Sequence, residues 1–316
     1  MRVWIENPFD NLPLEGFRPQ RYWLMAEAFA RAGHDVTLWT ADFNHTTKTR
    51  RAIAGEPPDF ALRLVHEPPY SANVSLGRMI SHWRYSREWS RLAQAAAKGN
   101  GAPDLIVVST PPLSTGLVAR RLAAKFGAKL VLDVMDAWPE TFERVAPKSA
   151  LWPLRRLARA NYLGADAIAV VADRYIDLVR GYGFKGEVRR FYHGIDMSGA
   201  TAVVRKDDGA LRLAYAGNLG RTYDLATVVS ALAELPDATL DIAGKGESNR
   251  VSPCPQGSYP RSTATSHIGS SVPRKSDGFS ELSGVRATSL FRGEARRPLS
   301  SYTNPSKPKR KALTGR

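Results

Sequence analysis

The chain has 316 residues, 43% of them hydrophobic and 24% charged, a balance that suits a globular protein of two ordinary domains with a sizeable core. Its one cysteine, Cys254, excludes an intramolecular disulfide and a cysteine-based zinc cluster. The formal net charge of +15 suggests a nucleic-acid partner until it is divided by position: about 13 Lys/Arg against 3 Asp/Glu lie beyond Glu247, so roughly +10 belongs to the last 69 residues and the rest of the chain is only mildly basic.

The chain opens Met1-Arg2-Val3-Trp4-Ile5 and runs straight into Glu6-Asn7-Pro8, without the apolar stretch of a signal peptide. No segment approaches about eighteen consecutive apolar residues. A cytoplasmic protein is expected, with any membrane contact made from its surface. Short β-rich runs follow at Val3–Ile5, Val36–Trp39, Leu105–Val108, Leu130–Val134, Ala167–Val171 and Glu187–Phe191, several bounded by Gly, Pro or Asp as buried parallel strands are. Helical spacing lies between several of them. Pro19 to Ala32 carries Tyr22, Met25, Ala26 and Phe29 on one face and stops at Gly33, and Leu113 to Phe126 stops in the same way at Gly127. Strand and helix in alternation predict an α/β fold with an open parallel sheet covered on both faces.

Asp196 to Ala210 reads as an interdomain linker, after which a second set begins: strand Leu211–Ala216, a tight loop Gly217-Asn218-Leu219-Gly220, helix Asp224–Leu235 and strand Thr239–Ala243. Two strands and a helix are too few to complete a domain of this class. The predicted organisation is a Rossmann-like domain over 1–200, a linker and the start of a second domain over 201–247, and a basic Ser/Pro-rich tail over 248–316. About 40 of the 69 tail residues are Ser, Pro, Gly, Lys or Arg, and no periodicity survives there, so the tail is expected to be disordered. Either it is a natural flexible tail or it is translated out of frame after Glu247.

In an open α/β sheet, ligands meet the loops beyond the carboxyl ends of the strands. Gly16 precedes the first helix, where backbone amides can approach an anion or a sugar, although a plain turn explains it as well. Asp136-Ala137-Trp138-Pro139-Glu140 follows a strand: an indole can stack on the apolar face of a pyranose while carboxylates accept its hydroxyl hydrogens, or the segment is a loop with a packed Trp. His193 in His193-Gly-Ile-Asp196 can orient a ligand or hydrogen-bond to backbone nearby. Gly217, Asn218, Gly220 and Arg221, with Gly244, Gly246 and Glu247 after the next strand, form loops fit for a diphosphate. There is no G-x-G-x-x-G fingerprint, P-loop, nucleophile elbow or H-E-x-x-H spacing, so no nicotinamide cofactor and no metal are expected. Two basic, aromatic segments are candidates for an anionic membrane surface. One is Arg78 to Lys98, with Met79, Ile80, Trp83, Tyr85, Trp89, Arg84, Arg87 and Arg91; the other is Trp152 to Arg159, with Leu154, Arg155, Arg156 and Leu157. Ordinary surface helices are the alternative.

As an ordered set these segments resemble the family 4 glycosyltransferases of bacterial polysaccharide synthesis. The matching elements are Gly16 with Arg18-Pro-Gln-Arg-Tyr-Trp-Leu24, Pro103 to Pro112, Asp136-Ala-Trp-Pro-Glu140, Gly164-Ala-Asp-Ala-Ile168, His193-Gly-Ile-Asp196, Tyr215 to Gly220 with Tyr223-Asp-Leu225, and Ile242 to Glu247, covering about residues 1–247. The resemblance implies the GT-B fold and retaining transfer of a sugar from a nucleotide-sugar to a lipid-linked or polysaccharide acceptor, without a bound metal. It assigns the donor to Gly16, Gly217, Asn218, Gly220, Arg221, Gly244, Gly246 and Glu247. It assigns the acceptor to Arg18, Asp136, Trp138 and Glu140, and leaves Asp136 and His193 as the candidate catalytic groups. The family's E-x7-E pair is missing: residues 248–316 hold only Glu281 and Glu294, at another spacing, so the chain as written is expected to lack catalytic competence. The alternatives are a nucleotide-sugar epimerase of the same architecture, or a non-enzymatic glycan- or partner-binding protein whose basic tail engages membrane or nucleic acid.

Overall fold

A computed structural model describes residues 1–71, 75–144, 146–194, 209, 211–219, 224–235 and 238–245. The chain divides between Ser198 and Gly199 into two units. In the first, β1 (Arg2–Glu6), α1 (Arg21–Arg31), β2 (Asp35–Ala41), a hairpin of β3 (Phe43–Asn44) and β4 (Thr49–Arg50), β5 (Ala61–Val65), α2 (Leu76–Asn100), β6 (Leu105–Thr110), α3 (Leu113–Phe126), β7 (Lys129–Val134), α4 (Trp152–Leu163), β8 (Ala167–Val170), α5 (Asp173–Gly181) and β9 (Glu187–Arg190) follow in order. Seven of these strands form one parallel sheet in the order β5-β2-β1-β6-β7-β8-β9. This is the predicted α/β class and the predicted parallel sheet, with both faces buried.

The period of two along each strand divides the core. Val3, Ile5, Val36, Leu38 and Val107 face α1, where they meet Tyr22, Trp23 and Ala26. Their neighbours Trp4, Trp39, Ile106, Val108, Leu130 and Leu132 face the other way, against Tyr85 and Trp89 of α2 and Ala119 and Leu122 of α3. Because both faces are covered, the strands read as continuous apolar runs. Gly33 and Gly127 adopt positive φ, 81° and 68°, after α1 and α3, which ends both helices where expected. The edge strand β5 was not predicted: Arg63 and Leu64 face solvent, so it lacks the apolar continuity of the inner strands.

In the second unit, β10 (Arg212–Asn218) pairs in parallel with β11 (Thr239–Lys245), and α6 (Leu225–Ala231) lies between them in sequence. Asp224 caps α6, its Oδ1 accepting from the Thr227 amide at 3.1 Å. The helix predicted to reach Leu235 ends earlier, passing into a 3-10 turn at Leu232–Glu234. The tight loop predicted at Gly217-Asn218 is corrected too: β10 continues through both residues, in register with Gly244 and Lys245, because paired glycines let the two backbones pack closely. The linker predicted over Asp196–Ala210, apart from Gly209, and the tail over 248–316 lie outside the described residues, as do Gly220, Arg221, Gly246 and Glu247.

Candidate functional site

The strand order reverses at β1, so the crevice outside the carboxyl ends of β1 and β6 is the place where such sheets receive ligands. Side chains folded locally into rigid turns occupy this edge of the first unit. Asn7 closes one of them, its Oδ1 accepting from the Phe9 and Asp10 amides at 2.9 and 2.7 Å. Asp10 in turn accepts from the Tyr22 amide at the start of α1, 2.8 Å. Burial pushes the Asp10 carboxyl up to about 6, against the opposing effects of that amide and of Arg51 and Arg21.

The β3–β4 hairpin is built in the same manner. Asn44 Oδ1 accepts from the Thr46 and Thr47 amides, and its Nδ2 donates to Asn11 Oδ1 at 3.2 Å and Glu15 Oε1 at 3.1 Å. The wholly buried Arg51 guanidinium pairs with Glu15 and donates to the carbonyls of Ala41 and Asp10 at 2.7 and 2.8 Å, tying the hairpin to the loop after β1. Lys48 adopts φ 60°, the one positive φ outside glycine among the described residues.

These supports hold a cluster of cations and rings. Arg78, in the first turn of α2, donates from Nε to His82 Nε2 one turn on, at 3.2 Å, and its guanidinium lies 5.4, 5.8 and 5.3 Å from the ring centroids of Phe9, Tyr70 and Trp138. Lys48 Nζ lies 4.6 Å from the Tyr70 centroid and 3.3 Å from His45 Nδ1, which also meets the Tyr70 hydroxyl at 2.6 Å. The His82 ring is 5.5 Å from Phe9, 5.9 Å from Tyr70 and 6.1 Å from Trp138, centroid to centroid. Burial, then the charges of Lys48 and Arg78, pushes His45 down to about 4. Burial, then Arg78, His45 and Lys48, pushes His82 down to about 3. Both imidazoles are therefore neutral near pH 7, and the positive charge resides on Lys48 and Arg78. His82 and Tyr70 are buried, whereas Phe9, His45, Lys48, Arg78 and Trp138 are half-buried and form the rim. The arrangement offers aromatic faces and N–H donors to a ligand with an apolar side and acceptor oxygens.

The structure distributes the sequence candidates unevenly. Trp138 joins the cluster. Asp136 spends its oxygens on its own loop, accepting from the Ala137 amide at 2.8 Å, Trp138 Nε1 at 3.2 Å and Thr141 Oγ1 at 3.2 Å, so it positions the indole. Glu140 accepts from the Tyr182 hydroxyl and lies 3.8 Å from Arg155, which aims it at α5 and α4. Gly16 closes the 3-10 turn Pro13–Glu15 with φ 82°; its amide donates to Pro13 O at 2.9 Å, so the turn explanation fits it. Arg18 and His193 are exposed.

Arg21 was not among the sequence candidates, yet it makes a bidentate pair with the fully buried Asp133 at 2.6 and 3.0 Å and donates to the carbonyls of Phe191 and Tyr192, both at 3.1 Å. It joins α1, β7 and the segment after β9. Arg78 opens a segment read either as membrane-facing or as an ordinary surface helix, and its side chain turns inward. Helical spacing puts 78, 82, 85 and 89 on one face of α2, but only the packing, which buries His82, Tyr85 and Trp89, shows that this face turns inward. His45, Lys48 and Tyr70 carry no local signal that separates them from loop residues.

Gly217 and Gly244, both assigned to the donor by resemblance, face each other across β10 and β11, and a Cβ on Gly244 would collide with the Gly217 carbonyl oxygen. Asn218 ends β10. Among the described residues no group of three or more His, Cys, Asp or Glu is placed to hold a metal ion, and no helix is long and apolar enough to cross a membrane.

Residues 20–193 match the family described as glycosyl transferase 4-like domain. No curated protein sequence matches the chain. Among solved structures, it is similar to the glycotransferase of kitacinnamycin at 15% identity and TM-score 0.50, covering 86% of this chain and 71% of that one. It is also similar to Alr3699/HepE of Anabaena, solved in complex with UDP, at 14% identity and TM-score 0.48, covering 78% and 61%. A third is the E. coli trehalose-6-phosphate protein bound with UDP-2-fluoro glucose, at 8% identity and TM-score 0.47, covering 78% and 65%. The chain thus spans less than two thirds of the Anabaena and E. coli proteins.

Proposed function

This chain belongs to the glycosyl transferase 4-like family, and from that premise we propose that it serves the transfer of a sugar from a nucleotide-sugar to a glycan or lipid-linked acceptor in cell-surface polysaccharide synthesis, with retention at the anomeric carbon. The observation that carries the reading is the aromatic and cationic cluster at the carboxyl edge of the sheet, within the unit that matches the family. There an acceptor sugar would lie on Trp138, whose indole Asp136 holds in place, with Phe9 and Tyr70 as further apolar walls.

The donor diphosphate is assigned to the second unit, where Arg221 and backbone amides near Gly217, Gly220, Gly244 and Gly246 would meet the charge that grows as the glycosidic bond breaks. No metal or other cofactor enters this scheme. Because Glu281 and Glu294 do not supply the family's spaced glutamate pair, the chain as written is proposed to bind acceptor while transferring sugar slowly or not at all.

Attachment to the cytoplasmic face of an anionic membrane is part of the proposal. Leu76, Met79, Ile80 and Trp83 are 78%, 46%, 54% and 47% exposed and lie at i, i+3, i+4 and i+7 on the outer face of α2, beside the exposed Arg84 and Arg87. The test of the acceptor site is ligand-observed NMR with a mixture of gluco-, galacto- and manno-oligosaccharides. Saccharide binding should weaken several-fold to about tenfold in Trp138→Ala, the scale of one lost aromatic contact, while UDP and GDP binding stays unchanged. Saccharide signals indifferent to Trp138→Ala would remove the acceptor from this edge.

A further inference from the structure

We propose that His45 and His82 are hydrogen-bond donors to oxygen atoms of the acceptor saccharide, His45 through Nε2–H and His82 through Nδ1–H, and that neither acts as a base. This deepens the acceptor reading of the same sheet edge and rests on it. The assignment follows from what the neighbouring groups are able to give. A guanidinium has N–H donors and no acceptor, so Arg78 Nε, 3.2 Å from His82 Nε2, requires a lone pair on that nitrogen. An ammonium has no acceptor either, so Lys48 Nζ, 3.3 Å from His45 Nδ1, requires a lone pair there. The Tyr70 hydroxyl meets the same nitrogen at 2.6 Å and therefore donates to it, while Arg78 hydrogen-bonds to the tyrosine side chain.

A neutral imidazole with one nitrogen accepting carries its proton on the other. Burial, and then the nearby cations, keeps both rings neutral, so their tautomers are opposite: Nε2–H in His45 and Nδ1–H in His82. Among the described residues no protein acceptor lies on either N–H, and neither nitrogen is one of the polar atoms sealed from solvent without a partner. Each donor is thus left to solvent or to a ligand. An imidazole fixed in this way has no lone pair for the attacking hydroxyl and cannot take its proton. What it offers is an N–H for a hydroxyl, ring or glycosidic oxygen.

The placement suits a saccharide. The His82 centroid is 6.1 Å from that of Trp138, the indole proposed to carry the acceptor. Both imidazoles flank the same two rings: Phe9 lies 5.1 Å from His45 and 5.5 Å from His82, and Tyr70 lies 5.8 and 5.9 Å from them. Apolar faces of an oligosaccharide would lie on the rings while its oxygens meet the imidazole edges, and the two donors need not serve the same oxygen. The backbone under both is fixed in advance. The His82 carbonyl accepts from Ser86 Oγ at 2.7 Å and Ser114 Oγ at 3.2 Å, and His45 stands in the hairpin that Asn44 locks. Donors ordered before binding lose little freedom on meeting the ligand.

The experiment uses the full chain carrying nitrogen-labelled histidine. Proton–nitrogen correlation spectra of the parent at pH 7 should show His45 as the Nε2–H form and His82 as the Nδ1–H form, each resonance being identified by its loss in a single variant. Titration with the mixture of gluco-, galacto- and manno-oligosaccharides should move both N–H signals. Binding is then compared between amide variants, since an Asn amide reaches the position of Nδ1 and a Gln amide that of Nε2. The two donors predict a crossed order. His82→Asn should bind the saccharides roughly twofold to tenfold more tightly than His82→Gln, the range for one neutral hydrogen bond, and His45→Gln should exceed His45→Asn by a similar factor. The control His34→Gln, just before β2, should bind as the parent does.

The reverse order would overturn the proposal, because His82→Gln and His45→Asn retain an acceptor for Arg78, Lys48 and Tyr70 and would then show the imidazoles to be supports alone. Either ring in the other tautomer, or charged at pH 7, would overturn it without any substitution. Saccharide binding lost in Trp138→Ala, with Asn and Gln variants alike, would sink the donors and leave the acceptor reading standing. A crossed order with binding indifferent to Trp138→Ala would support the donors and sink the seat on Trp138.

Discussion

Glu67 is fully buried two residues beyond β5, its Oε1 accepting from Ser81, and burial raises its carboxyl to about 7. The fully buried Glu6 is raised as well, by burial and then by Glu67 beside it. For Glu67 the folded pKa exceeds the unfolded value near 4.5, so the native state keeps a proton that the unfolded chain releases. Stability therefore falls as pH rises from about 4.5 to 7 and levels off above. Glu67→Gln, neutral at every pH and still able to accept from Ser81, should flatten that slope and exceed the parent in stability at pH 8 by on the order of 1–3 kcal/mol. Denaturant unfolding between pH 4.5 and 8 measures it, and parallel curves for parent and variant would contradict the assignment. None of this was visible in the segment His66-Glu67-Pro68, where a charged residue reads as solvated. Trp138, by contrast, stood out in the sequence as an indole just after a strand end, although a loop with a packed Trp explained Asp-Ala-Trp-Pro-Glu as well.

Among elements, α2 shows how one sequence pattern can carry two meanings. Its inner stripe, His82, Tyr85, Ser86, Trp89 and Ala93, packs into the core, and its first two turns carry an outer stripe at 76, 79, 80 and 83. The sequence showed aromatic and basic residues mixed along a helix; only the packing of α2 against α3 and β5 tells which face is covered. The second candidate segment resolves otherwise. Leu154 and Leu157 of α4 pack on the core and Arg155 pairs with Glu143, leaving Trp152 exposed with the Arg156 guanidinium 4.8 Å from its ring. In the second unit, the close approach of β10 and β11 at Gly217 and Gly244 yields a separate prediction. Gly244→Ala should destabilise the strand pair, seen as faster amide hydrogen exchange along 212–218 and 239–245, whether or not nucleotide is present. Unchanged exchange with weakened nucleotide binding would instead make Gly244 a ligand contact.

For the molecule as a whole, charge and exposed apolar surface divide between different parts of the chain. Roughly +10 of the +15 net charge belongs to the last 69 residues, so the basic character of the whole says little about residues 1–247. Exposed apolar side chains with a shared direction lie along the first turns of α2. Replacing Met79, Ile80 and Trp83 together by Ser should lower co-sedimentation with phosphatidylglycerol vesicles by on the order of tenfold or more, since each half-exposed side chain contributes about 1 kcal/mol of burial in the interface. The same loss after deletion of 248–316, with the triple variant binding normally, would assign the membrane contact to the tail.

By itself the sequence determined the α/β class, the inner strands and the glycine-terminated helices, because apolar periodicity and positive-φ stops are local properties written into neighbouring residues. It also determined the family, through an ordered set of loops. Tertiary structure alone decided that Arg78 turns inward, that Asp136 serves Trp138, and that Lys48, His45, Tyr70 and His82 meet at one sheet edge. Those residues come from a hairpin, a loop and a helix that parallel strands bring together, and the burial that sets their charge exists only once the strands are paired.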